Sequence, residues 1–115
     1  MFCFLNQQNF WALDDASMKI TSGGSEMLGN NGFNTFSWSA WATFNSVYYG
    51  SGITSTHPLY SPRSGLGFYI DIQYTRVDGI YQNITTVIGQ NYTVSFYLAN
   101  PKGGNVSVAV VSIGP

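Results

Sequence analysis

Residues 79–100, GIYQNITTVIGQNYTVSFYLAN, constrain the possible fold of this chain more than any other stretch. Ile80, Gln82 and Ile84 alternate with Tyr81, Asn83 and Thr85, and Gly89-Gln90-Asn91 supplies turn chemistry. Tyr92, Val94, Phe96 and Leu98 then alternate with Thr93, Ser95 and Tyr97. A two-residue period places every second side chain on one face, so each run reads as a strand with one buried side. Val, Ile, Thr, Tyr and Phe suit such a pleated, half-buried surface. A third run, Val106 to Ile113, follows Pro101-Lys102-Gly103-Gly104, whose residues favour a reversal. Read locally, the three runs form an antiparallel β-meander whose middle strand buries Val94, Phe96 and Leu98.

The rest of the chain repeats this pattern in shorter pieces. Phe68, Ile70, Ile72 and Tyr74 alternate with Tyr69, Asp71, Gln73 and Thr75, giving another strand. Residues 2–5 and 10–20 read as two strands; in the second, Phe10, Ala12, Met18 and Ile20 are the inward positions, and Asp14-Asp15 interrupts the apolar pattern. Residues 21–25, TSGGS, form a flexible linker or broad turn. Trp38, Trp41, Phe44, Tyr48 and Tyr49 are spaced as on a helix, but the intervening Ser, Thr and Asn are weak helix formers, so loop plus strand is expected. Gly50 to Gly67 is the longest irregular stretch, and loops of that length in a compact domain are usually functional or disordered. No segment reads as a helix. About seven short strands between turn signals predict an all-β chain folded as an antiparallel β-sandwich.

Composition narrows the function. The 115 residues fit one domain. Only 8% are charged, against roughly 25% in typical soluble domains, while aromatics reach 17%. With a net charge of −1 the chain lacks the basic patch that nucleic-acid binding needs. No apolar run approaches the ~20 residues of a helical membrane span. The opening MFCFL is too short for a signal-peptide core, so a secreted protein would carry its signal outside this chain. Cys3 stands alone between apolar neighbours and reads as a small buried hydrophobe. A neutral, aromatic-rich and hydroxyl-rich chain suits a neutral polyhydroxylated or protein partner.

Asn31-Gly32-Phe33, Trp41, Phe68-Tyr69-Ile70-Asp71-Ile72, Gly79-Ile80-Tyr81-Gln82 and Gly89 through Leu98 stand in an order with a familiar look. Over residues 26–113 the chain resembles the galactose-binding-like, carbohydrate-binding-module-like jelly-roll domains, often tandem repeats of secreted proteins. The resemblance implies a jelly-roll sandwich that binds glycans outside the cell without catalysis. It places residues 26–115 in the sandwich, 21–25 in a linker, and residues 1–20 in the last strand of a preceding copy or a permuted edge. Phe10 to Met18 resembles the family's last strand yet stands first, which implies a permuted or incomplete sandwich. The family also implies a structural calcium, with Asp15 as anchor and Asn34 where an acidic residue is usual.

The candidate site residues follow. Sugar binding needs aromatic faces for pyranose C–H groups and a few polar side chains for the hydroxyls. Tyr49, Tyr60, Arg63, Asp71 and Tyr74 lie on or beside the long loop and the following strand, and are the candidates for contact with a carbohydrate or glycoprotein. The competing explanation is a loop packed by its own aromatics. Catalysis has little to stand on: Asp14 and Asp15 would point to opposite faces of a strand, and His57, the lone histidine, sits in a loop before Pro58. Asn-x-Ser/Thr sequons occur at Asn83, Asn91 and Asn105. A structural or adhesive repeat that spaces other domains, or a non-functional fragment, is the alternative to a glycan-binding module. Residues 2–20 are expected to complete the sandwich by closing an exposed edge, with exchange between two chains as the rival arrangement.

Overall fold

The computed structural model describes residues 1–6, 10–36, 38, 40–44, 51–72, 77–101 and 107–114. Among these residues the regular elements are the strands β1 (Phe2–Asn6), β2 (Trp11–Ile20), β3 (Ala42–Phe44), β4 (Gly52–Thr54), β5 (Phe68–Asp71), β6 (Asp78–Tyr81), β7 (Tyr92–Ala99) and β8 (Ser107–Val111). They form two four-stranded sheets, ordered β3-β6-β1-β8 and β4-β5-β2-β7, with every pairing antiparallel. No described helix is long and apolar enough to cross a membrane.

The pairing has a simple rule. β1 pairs with β8, β2 with β7, β3 with β6 and β4 with β5, as if one long antiparallel ribbon had been rolled up. The pairs join through β6 beside β1 in one sheet and β5 beside β2 in the other, giving an antiparallel β-sandwich. The expected meander is thereby corrected. β6 and β8 lie in one sheet and β7 in the other, so none of the three is a neighbour of the next. Alternation shows which face of a strand is buried; it carries no information about the hydrogen-bonding partner. β6 also stops at Tyr81, short of the alternation that runs through Thr85. At Gln82 the side-chain amide takes over the pairing role, donating from Nε2 to the Gly29 carbonyl (2.7 Å) while Oε1 accepts the Gly29 amide (3.0 Å). The following residues carry the chain across to the other sheet through a turn closed by Gln90 N–H on Val87 O (3.1 Å).

β1 and β2 are not edge closures. β1 lies between β6 and β8, and β2 between β5 and β7, so the first strands of the chain are interior strands of the two sheets. Within the described residues each of the eight strands has its partner.

The sandwich interior is filled from both sheets. Phe2 and Phe4 of β1, Leu13 and Ala16 of β2, Tyr69 of β5 and Ile80 of β6 are buried there with Phe33 and Trp41 from the connection between β2 and β3. Phe33 lies near-parallel to Trp41, 5.3 Å between centroids, and Phe2 meets Phe96 edge-on at 5.3 Å. Val94, Phe96 and Leu98 take the inward positions of β7, as the alternation predicts, and each is half-buried. Cys3 is buried, as expected of a small hydrophobe.

A β-bulge in β2 divides that strand into two halves of opposite sense. Asp14 pairs with Tyr97 and Ser17 with Ser95, so β2 uses one residue more than β7 between the two pairs. Asp15, at φ +48°, takes up the extra residue. Before the bulge Trp11 and Leu13 contact the interior cluster; after it Ala16 does, and Met18 faces the same side. Phe10 and Ala12 are therefore buried as expected, but on the outer face of their sheet, in a second cluster with Phe68 and Ile70. This cluster is covered by the β4–β5 connection.

Beyond the bulge, Glu26 ties β2 to the segment after it. Its Oε1 accepts the amides of Met18 (2.9 Å), Met27 (3.0 Å) and Leu28 (3.0 Å), and Oε2 accepts the Ser17 hydroxyl (2.6 Å). Partial burial would push this carboxyl upward, but the donors outweigh it and hold it below its ordinary 4.5. A folded-state pKa below the unfolded one gives stability that is present above pH 4.5 and lost as pH falls through the folded value. The melting temperature is expected to fall on acidification below pH 4.5, and Glu26→Gln to flatten that dependence. An identical acid limb in the variant would show that Glu26 does not contribute.

Candidate functional site: the strap over the outer sheet face

The connection from β4 to β5 lies across the outer face of the β4-β5-β2-β7 sheet as a strap, residues 55–66. Aromatic packing fixes its first half. The His57 ring lies 4.1 Å from that of Phe10, and Tyr60 stands edge-on to Phe68 at 4.7 Å. His57 and Tyr60 form an isolated antiparallel bridge, with Tyr60 N–H on His57 O (3.3 Å). His57 Nδ1 accepts the Leu59 amide (3.1 Å), so a neutral imidazole carries its hydrogen on Nε2 as a donor.

Carboxylates fix the second half. Asp14 is fully buried; Oδ2 accepts the Arg63 amide (2.7 Å), Oδ1 accepts the Asp15 amide (2.8 Å), and the Ser64 amide also points to this carboxyl. Burial pushes the Asp14 carboxyl above the usual carboxylate range, and these amides act in the opposite direction. Asp15, held out by the bulge, accepts the Ser64 hydroxyl on both oxygens (2.7 and 2.8 Å) and the Arg63 guanidinium on Oδ2 (3.2 Å). The Arg63 guanidinium carbon also lies 3.4 Å from the ring centroid of Tyr97, a cation–π contact on the outward face of β7. Asn34 holds the strap end, its Oδ1 accepting the Leu66 amide (2.6 Å), and the left-handed Gly65 (φ +62°) leaves no room for a Cβ against that same side chain.

The fold thus gathers some of the expected residues and separates others. Tyr60 and Arg63 both sit on the strap. Asp15 and Asn34 come close together: a Cβ at Gly32 would lie 3.5 Å from Asp15 Oδ1 and 3.3 Å from Asn34 Nδ2. Asp71 is corrected to the interior: it is fully buried, and its Oδ2 accepts the Tyr69 hydroxyl (2.9 Å) on the opposite face of the sheet from the strap. Both faces of β5 are covered, so a polar residue in the alternation need not face water. Tyr49 and Tyr74 lie outside the described residues. Sequence does not single out Ser64 or Tyr97, and it marks Asp14 only as half of an acidic pair in an apolar run. The signals were the paired acids breaking the β2 pattern and an aromatic at an outward position of β7.

Among the described residues, Asp15 and Asn34 are engaged within the protein rather than gathered with further oxygens as a calcium site would need. Calcium takes roughly 6–8 oxygens, whereas the Asp15 carboxylate is engaged by a guanidinium and a hydroxyl and the Asn34 carbonyl by an amide. Among the described residues no group of three or more acidic, His or Cys side chains is placed to hold a metal ion. What the strap does offer is an open concavity of about 430 Å³ bordered by Ser55, Thr56, His57, Pro58, Tyr60 and Ser61. Among the described residues its border has hydroxyls, an imidazole and a pyrrolidine ring, and no carboxylate or ammonium. Burial pushes the Tyr60 phenol up, and the negative charges of Asp14 and Asp15 add to this, so it remains a donor at neutral pH.

Comparison of the chain with known protein families, with curated proteins and with solved structures gives no match.

Proposed function

We propose that this chain is a non-catalytic, extracellular carbohydrate-binding module that takes a neutral glycan, free or on a glycoprotein, on the strap of its β-sandwich. The observation that carries this reading is the uncharged, hydroxyl-lined concavity at residues 55–61. A neutral polyol needs donors and acceptors that can be either, as hydroxyls are, and an apolar face for its C–H groups. Tyr60 supplies both an apolar ring and a hydroxyl. The Arg63 guanidinium, with its side chain 45% exposed, adds fixed donors beside the concavity. The sandwich type adds fold-level analogy.

The test is a glycan array followed by calorimetry on any hit. Specific binding at millimolar affinity or better is expected, and Tyr60→Phe is expected to weaken it about fivefold. That variant keeps the ring on Phe68 and removes one hydrogen bond, worth about 1 kcal/mol. A blank array would assign the chain instead to a structural or adhesive spacer, whose strap aromatics serve only to cover the outer sheet face.

A further inference from the structure

We propose that the end of the sandwich beyond Phe2 and Trp41 is a second binding site, for a small, neutral, apolar molecule of the alkyl-chain class. A cavity of about 500 Å³ opens there between the two sheets. Its walls include Phe2, Met18, Leu28, Trp41, Val94 and Val111. The contrast with the rest of the interior is direct. Phe4, Phe33 and Tyr69 are fully buried and fill their part of the sandwich, whereas Met18, Leu28, Val94 and Val111 are only half-buried.

Volume selects the size of the occupant. Protein interiors leave few voids larger than a water molecule, because lining atoms without neighbours forfeit their dispersion contacts. An apolar cavity of about 150 Å³ already takes up benzene rather than water. The cavity here lies in the range of small-ligand pockets, about 300–1,000 Å³. Face-to-face sheets stand about 10 Å apart, backbone to backbone, so the slot admits a chain or flat ring; a helix, about 10–12 Å across with its side chains, is too thick.

Charge and hydrogen bonding select its chemistry. Among the described residues no Asp, Glu, Lys, Arg or His side chain borders the cavity. The charged group in the wall among the described residues is the Met1 ammonium, which donates to Ser112 O (2.7 Å); the side chains around it are uncharged and match a neutral occupant. Several polar wall groups already have partners within the protein. Gln82 uses both ends of its amide on Gly29, Trp41 Nε1–H donates to Asn30 O (3.1 Å), and the Ser112 amide donates to Met1 O (2.9 Å). This site is independent of the strap, so an array result bears on neither its presence nor its ligand.

The experiment uses the whole chain and the neutral fluorophore N-phenyl-1-naphthylamine. Its emission is expected to rise saturably with one site per chain and to be reversed by 1-decanol, with decanoate at least tenfold weaker. Emission of Trp41, in the cavity wall, is expected to change on adding 1-decanol alone. Val94→Trp should fill the slot and lower probe affinity at least tenfold, with a melting temperature equal to or above that of the parent. If Val94→Trp does not fold, Val111→Phe fills the slot from the other sheet and gives the same readout. Absence of a saturable signal, unchanged affinity in a folded filled variant, or a dimer that shuts the probe out would each overturn the proposal.

Discussion

Gly79→Ala is expected to lower the melting temperature by more than about 10 °C. The residue faces Cys3 across β6 and β1, and a Cβ built on it would collide with the Phe2 carbonyl oxygen and come within 2.8 Å of Cys3 Cα. Both obstacles are backbone atoms of an interior strand held on its other side by β8, so neither can swing away. Relief requires β1 and β6 to part, which draws Phe2, Phe4 and Ile80 out of the interior they fill. A cost of about 3 kcal/mol, the upper end for overpacking, follows, and each kcal/mol moves the midpoint of a small domain by about 4–8 °C. Gly52→Ala is the control, since a Cβ there meets nothing within 4 Å. Equal melting temperatures for the two variants would refute the close approach of β1 and β6.

Asp14→Ala is expected to cost about 2–4 kcal/mol and to free the strap. The substitution removes the acceptor of the Arg63, Asp15 and Ser64 amides at a buried position, and an orphaned buried donor costs about 1–3 kcal/mol. Removal of a buried carboxylate offsets part of this. Two measurements separate global from local effects: a urea titration for stability, and trypsin digestion under native conditions for the strap. Cleavage after Arg63 in the variant, with the parent resistant, is the expected result. A midpoint within about 0.5 kcal/mol of the parent, with no new cleavage, would show that Asp14 does not anchor the strap.

How much of this could be read from sequence varies strand by strand, for physical reasons. β7 is legible because one of its faces packs and the other is open, so Tyr92, Val94, Phe96 and Leu98 are half-buried while Thr93, Ser95 and Tyr97 are exposed. β5 is misleading because both its faces are covered; there alternation of Tyr69 and Asp71 with Phe68 and Ile70 separates two buried environments rather than core from water. β2 hides a change of sense at Asp15, visible in the sequence only as two acids in an apolar run. β4 has three residues, Gly52 to Thr54, too few to show any period. Of the candidate site, Tyr60 and Arg63 are legible as unusual residues in a long loop. Their anchors, Asp14 and Tyr97, come from strands distant in sequence and only the rolled ribbon brings them near.

That ribbon also determines when the chain can fold during its synthesis. Strand i pairs with strand 9−i, so the innermost pair, β4 with β5, closes the shortest loop, and the outermost, Phe2 with Val111, closes almost the whole chain. Closing loops of such length is slow, and sheets built from distant partners fold slowly as a class. A ribosome adding about 5–20 residues per second would expose β1, with Phe2 and Phe4, for several seconds before β8 emerges to cover its edge. The two strands made first are interior strands that must wait for those made last, and over that interval the nascent chain presents its stickiest segments to whatever lies nearby.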